Sequence, residues 1–327
     1  MKILHLAYAA ATTPPVDYGG TERLLYPTLK GQVERGHQVW LHSHPNSKIP
    51  GVVTVGCDVD SATQVQQAID VVKSLKPDII HDHTQWNGLG FDNTGVRVVR
   101  TFHGDPHLKY RSRYGVRKDI IPTFLSAGFA KFYGMPDAII TRMPFTLNPM
   151  AGCPFNPDGR ASHLLFVGSI ADFKGAHIAI RWAEMMDRKL TMMGPCPHNQ
   201  SQFFKDQIQP SIASKHVTYM GSVKDDVKWK ALCEAHALLV PSICEEGLSI
   251  VVAEAMLAGC PVLGHPVGGI PETLGDWGGR ATYNLTEVVK FDEWLKSRYK
   301  PEMARQRVMD LFDVNTCLNR IEEVYRG

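Results

Sequence analysis

Short apolar runs rich in β-branched residues recur along the whole chain, and helical patterns fill the intervals between them. The first series covers residues 3–8, 38–42, 52–55, 79–81, 96–102 and 138–141. The second covers 164–167, 190–193, 217–220, 237–240 and 261–263. Strand-length runs alternating with helices specify doubly wound parallel sheets rather than a bundle or a sandwich. Between the two series lies a stretch rich in Pro, Gly and Asn, residues 148–159, whose composition suits an interdomain linker. The expected fold is therefore α/β, with two Rossmann-like doubly wound domains facing a cleft at the carboxyl ends of their strands, where such sheets bind ligands. At 327 residues the chain is too long for one ordinary core and suits two domains of about 150 residues each. The boundaries are set at 1–152 and 153–310. Residues 311–327 hold a final helix with Leu318, Ile321, Val324 and Tyr325 at helical spacing.

Composition removes several classes of function. No apolar run approaches the roughly 18 residues that a membrane span requires. The opening stretch, residues 1–11, reads as a first buried strand rather than a signal peptide, because a turn and a helix continue the pattern; a cytoplasmic location is the expectation. Seven cysteines without regular spacing and with no C-x-x-C pair argue against a disulfide framework and against structural zinc. A net charge of +2 supplies no field that would argue for nucleic acid, which is not expected as a partner. The one local basic run, residues 109–118, has two readings: a solvated face, or a surface that meets an anionic acceptor or a membrane from the side.

The chemistry concentrates at residues 241–262. There Glu246 and Glu254 flank a glycine turn, Gly247, that follows the buried-strand pattern at 237–240 and opens an apolar helix. A helix start offers unpaired N–H donors and partial positive charge, which suits phosphate, while carboxylates accept hydrogen bonds from sugar and ribose hydroxyls. A glutamate near a helix start is also common merely because it complements the dipole. Gly19 and Gly20 precede an amphipathic helix and would let the backbone approach a ligand, or would form a plain strand-to-helix turn. Lys174 sits in a turn after the 164–167 run, and His103 at the end of the 96–102 run. His81, Asp82 and His83 invite a metal reading, yet neighbours on a strand alternate faces, so only His81 and His83 share one; packing is the preferred account. The D-x-D at Asp58 and Asp60 is assigned to a solvated loop. No metal site is expected.

The 241–262 segment resembles the E-x7-E signature of retaining glycosyltransferases of the GT-B fold, in particular family 4. Leu248 and Ser249 stand where that family usually has Phe and Gly. Further likenesses run along the chain. Tyr18-Gly19-Gly20-Thr21-Glu22-Arg23 with Arg35-Gly36-His37 resembles the opening of one branch of the family. Thr101-Phe102-His103 is similar to its T-x-H element, and Pro77-Asp78 with His81 and His83 to one of its strands. Phe166-Val167-Gly168-Ser169 with Lys174-Gly175 is similar to F-V-G-R followed by K-G, and Gly268-Gly269-Ile270-Pro271-Glu272 to G-G-x-P-E. Ser169 occupies the position of the family's arginine, which with the lysine neutralises the leaving diphosphate. Arg142 and Arg160 are candidate substitutes for it.

The resemblance implies a metal-independent, retaining transferase that moves a sugar from a UDP- or GDP-linked donor to a glycan, lipid or small-molecule hydroxyl, with no other cofactor. It implies that Glu246 holds hydroxyls of the transferred sugar and Glu254 the ribose. Backbone N–H groups of Leu248, Ser249 and Ile250 would meet the diphosphate, with Gly19, Gly20, Gly247 and Ser169 lining the donor. Lys174 would steady the leaving phosphate, and His103 would position the sugar. The final helix would cross back to the first domain. An epimerase or hydrolase acting on a nucleotide-sugar, and a non-catalytic nucleotide-sugar binding protein, are the rival readings.

Overall fold

A computed structural model describes residues 1–16, 19–57, 61–84, 95–105, 120–145, 155–158 and 160–327. The chain divides into two compact units, one of residues 1–103, 109–146 and 312–327 and the other of 104–108 and 147–311. The basic run at 109–118, Asp58 and Asp60 of the D-x-D, Tyr18, and most of the proline-rich stretch lie outside the described residues.

The first unit is built on β1 (Lys2–Leu6), β2 (Gln38–Ser43), β3 (Val52–Gly56), β4 (Ile79–Asp82) and β5 (Arg97–Phe102). The two-residue strand β6 (Gly104–Asp105) follows and belongs to the second unit; β7 (Ile120–Phe124) and β8 (Ile139–Ile140) complete the first. Its seven-stranded sheet has the order β3-β2-β1-β4-β5-β7-β8, parallel throughout. The order reverses between β1 and β4, which makes their carboxyl ends a topological switch point. Apolar side chains of β1, β4, β5 and β7, among them Leu4, Leu6, Ile80, Val98 and Ile120, bury against Ala68 and Val72 of helix Ser61–Leu75. The last helix, Val314–Arg326, packs on the first helix, Gly20–Glu34, and starts where the Asp313 carboxylate accepts the Thr316 N–H at 2.7 Å. Arg35, just past the first helix, pairs with Glu322 of the last at 3.1 Å.

The second unit repeats the plan with β9 (Leu164–Val167), β10 (Leu190–Met193), β11 (Val217–Tyr219), β12 (Ala237–Val240), β13 (Glu245–Glu246), β14 (Val262–Gly264) and β15 (Gly279–Ala281). Six of these form a parallel sheet in the order β11-β10-β9-β12-β14-β15, with its switch point between β9 and β12. The core gathers Leu164, Phe166, Leu190, Met192 and Leu239 from the sheet and Ala179, Ile180, Trp182 and Ala183 from helix Ala176–Met185. β13 leaves this sheet and pairs antiparallel with β6, Glu246 opposite Gly104.

Candidate active site

Two loops meet at the β9/β12 switch point of the second unit. After β9 the chain passes the buried Ser169 and makes a single tight turn over Asp172–Lys174, ended by Gly175 in the left-handed region at φ 70°. A Cβ on Gly175 would stand 1.9 Å from the Pro241 carbonyl oxygen, so only glycine lets this turn lie against the end of β12. The N–H groups of Ile243 and Cys244 both donate to the Phe173 carbonyl, at 2.8 and 3.1 Å, and lock the second loop to the first. The sequence of each loop thus fixes the position of the other.

The consequence is an ion pair. Lys174 Nζ donates to Glu246 Oε1 at 2.7 Å, and the same oxygen accepts the Ser242 hydroxyl at 2.7 Å. Ser242 is held in turn by His265, whose Nδ1 lies 3.0 Å from the Ser242 carbonyl and whose pKa is lowered by burial. A third loop supports Glu246 from behind. The Gly269 N–H donates to the Glu246 carbonyl at 2.8 Å, and the Gly268 N–H to the neighbouring Glu245 carboxylate at 2.6 Å. This is what the Gly268-Gly269-Ile270-Pro271-Glu272 segment contributes to the site. The Cys244 thiol, buried and beside Glu246, is pushed up to about 12 and stays protonated.

Gly247 leads from Glu246 to helix Ile250–Leu257. Ser249 precedes the helix without a side-chain cap, and its carbonyl accepts from Val252 and Ala253. Among the described residues no acceptor is found for the N–H groups of Leu248, Ser249 or Ile250. A helix start with unused donors is suited to an anion. Glu254 lies one turn further along, buried at 5% exposure, and its Oε1 accepts from Lys228 Nζ at 2.6 Å. Lys228 comes from helix Asp225–Glu234 and also pairs with Asp225 at 3.2 Å. Each carboxylate of the E-x7-E pair therefore has its own ammonium partner, with the helix start between them.

Lys228 and Ser242 are the site residues that motif reading missed. Ser242 lies inside the segment that the motif covers and could have been taken with it. Lys228 carries no local signal, because a lysine on a helix with an aspartate three residues earlier reads as a solvated pair. Of the two candidates for the arginine replaced by Ser169, Arg160 is engaged elsewhere through both of its terminal nitrogens. Its guanidinium donates to the carbonyls of Asn156, Leu232, Ala235, Ala258 and Gly259 and so stitches loop ends together. Arg142 belongs to the first unit, where its charge acts on the Cys317 thiol of the last helix.

The remaining candidates are in the first unit. Gly19 immediately precedes the first helix and Gly20 is its first residue. His103 follows β5 directly, and its Nε2 lies 2.9 Å from His83 Nδ1. His81 and His83 are both buried on one side of the β4 end. Asp82 points the other way and takes the Arg100 Nε at 2.7 Å. The alternation read from the sequence thus separates the two histidines from the aspartate.

Comparison with known proteins places the chain. The family model described as Glycosyltransferase Family 4 matches residues 18–158, and the one described as Glycosyl transferases group 1 matches residues 161–289. A curated relative, an uncharacterized 41.2 kDa protein in the cps region of Klebsiella pneumoniae, is 25% identical over 174 residues; the match covers 50% of this chain and 46% of that protein, so the chain spans about half the length of the relative it matches. Among solved structures, AviGT4, a glycosyltransferase involved in avilamycin A biosynthesis, superposes with a TM-score of 0.75 at 22% identity, covering 100% of this chain and 97% of that one. Anabaena HepE in complex with UDP and glucose superposes with a TM-score of 0.77 at 16% identity, covering 99% and 98%. Matched over residues 18–158 and 161–289 by two glycosyltransferase family models, and sharing the doubly wound architecture of solved glycosyltransferases, the chain has the GT-B fold with the architecture of family 4.

Proposed function

We propose that this chain is a retaining, metal-independent glycosyltransferase that moves a sugar from a nucleoside-diphosphate sugar to a hydroxyl acceptor. The observation that carries the reading is the arrangement around helix Ile250–Leu257. Two buried carboxylates, Glu246 and Glu254, flank the unused N–H donors of Leu248, Ser249 and Ile250, with Lys174 against the first carboxylate. In this reading the N–H groups and the helix dipole take the diphosphate, and Glu254 takes the ribose. Glu246 takes hydroxyls of the sugar, and Lys174 moves from carboxylate to phosphate oxygen as negative charge develops on the leaving group. Cationic and N–H donors then supply the charge stabilisation that a metal ion provides in other transferases. A phosphate oxygen on the acceptor's side of the sugar would take the acceptor proton, so that no protein nucleophile is required. Gly19, Gly20 and His103 are assigned to donor and acceptor contacts from the first unit.

Anabaena HepE has been solved both with UDP and glucose and with UDP-glucose, which supports a uridine-linked donor as the first to try here, and GDP-linked sugars as the second. Thermal-shift measurements against a panel of nucleoside diphosphates and their sugars, followed by nucleotide release with and without acceptors, test the proposal. Transfer to an added hydroxyl supports it. Turnover that is indifferent to acceptor makes the chain a hydrolase or epimerase, and stabilisation without turnover makes it a binding protein.

A further inference from the structure

The polar interior of the first unit carries one chain of hydrogen bonds whose direction can be followed from end to end. At one end the Thr123 hydroxyl donates to the Arg100 carbonyl at 3.2 Å, and a carbonyl can only accept. A hydroxyl has one proton, so the Thr123 oxygen must accept from Thr101, 2.7 Å away. The Thr101 oxygen then accepts from His81 Nε2 at 2.7 Å. A neutral imidazole has one N–H, which leaves His81 Nδ1 bare to accept the Tyr325 hydroxyl at 2.6 Å.

The second half follows in the same way. With its proton committed, the Tyr325 oxygen accepts from the Gln32 amide nitrogen at 3.1 Å, which turns the amide oxygen toward His5 Nε2 at 2.8 Å. His5 Nδ1 is bare and accepts from His83 Nε2 at 3.1 Å; His83 Nδ1 accepts from His103 Nε2 at 2.9 Å. His103 Nδ1 is left as a lone-pair acceptor with no partner among the described residues. Alternating donors and acceptors require uncharged rings, and burial lowers the pKa of all four, His5 to about 4 and His103 to about 3. Reversing every bond would give up the Thr123–Arg100 bond and leave an N–H at the far end. One nitrogen each of His5, His81 and His83 lies within metal-ligating reach of the others. Both nitrogens of each ring are already hydrogen-bonded, however, so the cluster is a polar chain rather than a metal site.

We propose that Tyr325, Gln32, His5 and His83 are positioning residues that hold His103 in the tautomer with Nδ1 bare, making it an obligate acceptor for a sugar hydroxyl of the donor. The sugar contact rests on the transferase reading; the tautomer does not. The chain joins the last helix to His103 through the buried side chains of Tyr325, Gln32, His5 and His83. A substitution in the C-terminal helix therefore changes how the sugar is bound without touching the diphosphate site.

The test uses the full chain labelled with 15N-histidine and long-range proton–nitrogen correlation spectra, which report which ring nitrogen carries hydrogen. All four rings are expected as Nε2–H with bare Nδ1. In Tyr325→Phe the Gln32 amide loses its directing partner, so His5, His83 and His103 become tautomer mixtures while His81, still bonded to Thr101, keeps Nε2–H. Gln32→Glu added to Tyr325→Phe restores the single tautomer, because a carboxylate facing His5 can only accept. A native His103 protonated on Nδ1, or tautomers unmoved by Tyr325→Phe, overturns the chain. For the sugar contact, Tyr325→Phe should weaken UDP-glucose or GDP-mannose binding by about twofold, the factor set when near-equal tautomers leave about half of His103 with Nδ1 bare, and leave UDP or GDP binding unchanged. Equal losses for sugar-linked and free diphosphate overturn that contact. A native chain that binds neither sugar nucleotide removes the contact together with the transferase reading, and leaves the tautomer result standing.

Discussion

Lys228 Nζ lies 2.6 Å from Glu254 Oε1, joining helix Asp225–Glu234 to the second carboxylate of the E-x7-E pair. Both side chains are about nine-tenths buried, so the pair is a coupled unit. Removing one member leaves an uncompensated charge in the interior, which typically costs 3–5 kcal/mol. Lys228→Met should therefore lower stability by roughly that amount, and Lys228→Met/Glu254→Gln should recover most of it. Urea unfolding of the two single variants and the double variant measures the coupling. Additive losses would show that the two groups do not support one another.

At the other carboxylate the expected effects are catalytic. Glu246→Ala removes the acceptor that Lys174 and Ser242 share and should abolish transfer while diphosphate binding persists. Lys174→Ala should cut kcat by about 10²–10³, the usual loss when one electrostatic donor to a developing charge is removed. Glu254→Ala should act on donor affinity instead, raising KM more than it lowers kcat. Steady-state kinetics on the three variants separate these roles; transfer left intact in both glutamate variants would refute the proposed function.

How much of this was legible before the structure differs between fold and site. The parallel architecture followed from apolar runs, because strands buried on both faces must be apolar along their length. β7 escaped that reading because Pro122 interrupts Ile120–Phe124 and demotes it as a strand. Its register with β5, Arg100 opposite Pro122, emerges only once the sheet is assembled. Glu246, Glu254 and Lys174 stood out because they lie within short ordered motifs. Lys228 and the Gln32–Tyr325 contact did not, since their partners lie 26 and 293 residues away and no local pattern encodes such distances. Asp82 was legible by periodicity alone: alternate faces keep it from His81 and His83, and it pairs with Arg100.

Backbone packing gives a prediction independent of any substrate. Gly268 has φ 49°, and a Cβ there would stand 2.0 Å from the Glu246 carbonyl oxygen. Gly268→Ala must either move the loop or move Glu246, and the left-handed conformation adds strain for any residue with a side chain. A loss of roughly 2 kcal/mol or more is expected, accompanied by reduced transfer because Glu246 shifts with the loop. Alanine at the exposed Gly20, where an added Cβ meets nothing within 4 Å, is the stability control. Equal melting temperatures for the two variants would show that the close approach at Gly268 is unimportant.

Acid should destabilise the first unit through its buried histidines. His5 and His42 are held at about 4 and His103 at about 3, in each case chiefly by burial, against an ordinary value of 6.5. Below about pH 6.5 the unfolded chain binds protons that the folded chain refuses, so unfolding free energy falls as pH falls, until the folded values are reached. Each of His5 and His42 then withdraws on the order of 3 kcal/mol by pH 4. His42 isolates the effect, because neither of its ring nitrogens has a hydrogen-bond partner among the described residues. His42→Phe removes both the orphaned polar atoms and the proton-binding difference. It should leave stability at pH 7.5 equal or about 1–2 kcal/mol higher and make the decline between pH 6.5 and 5 shallower by close to one proton. Urea midpoints across that range decide the matter: an unchanged slope would mean that His42 is not held neutral by burial.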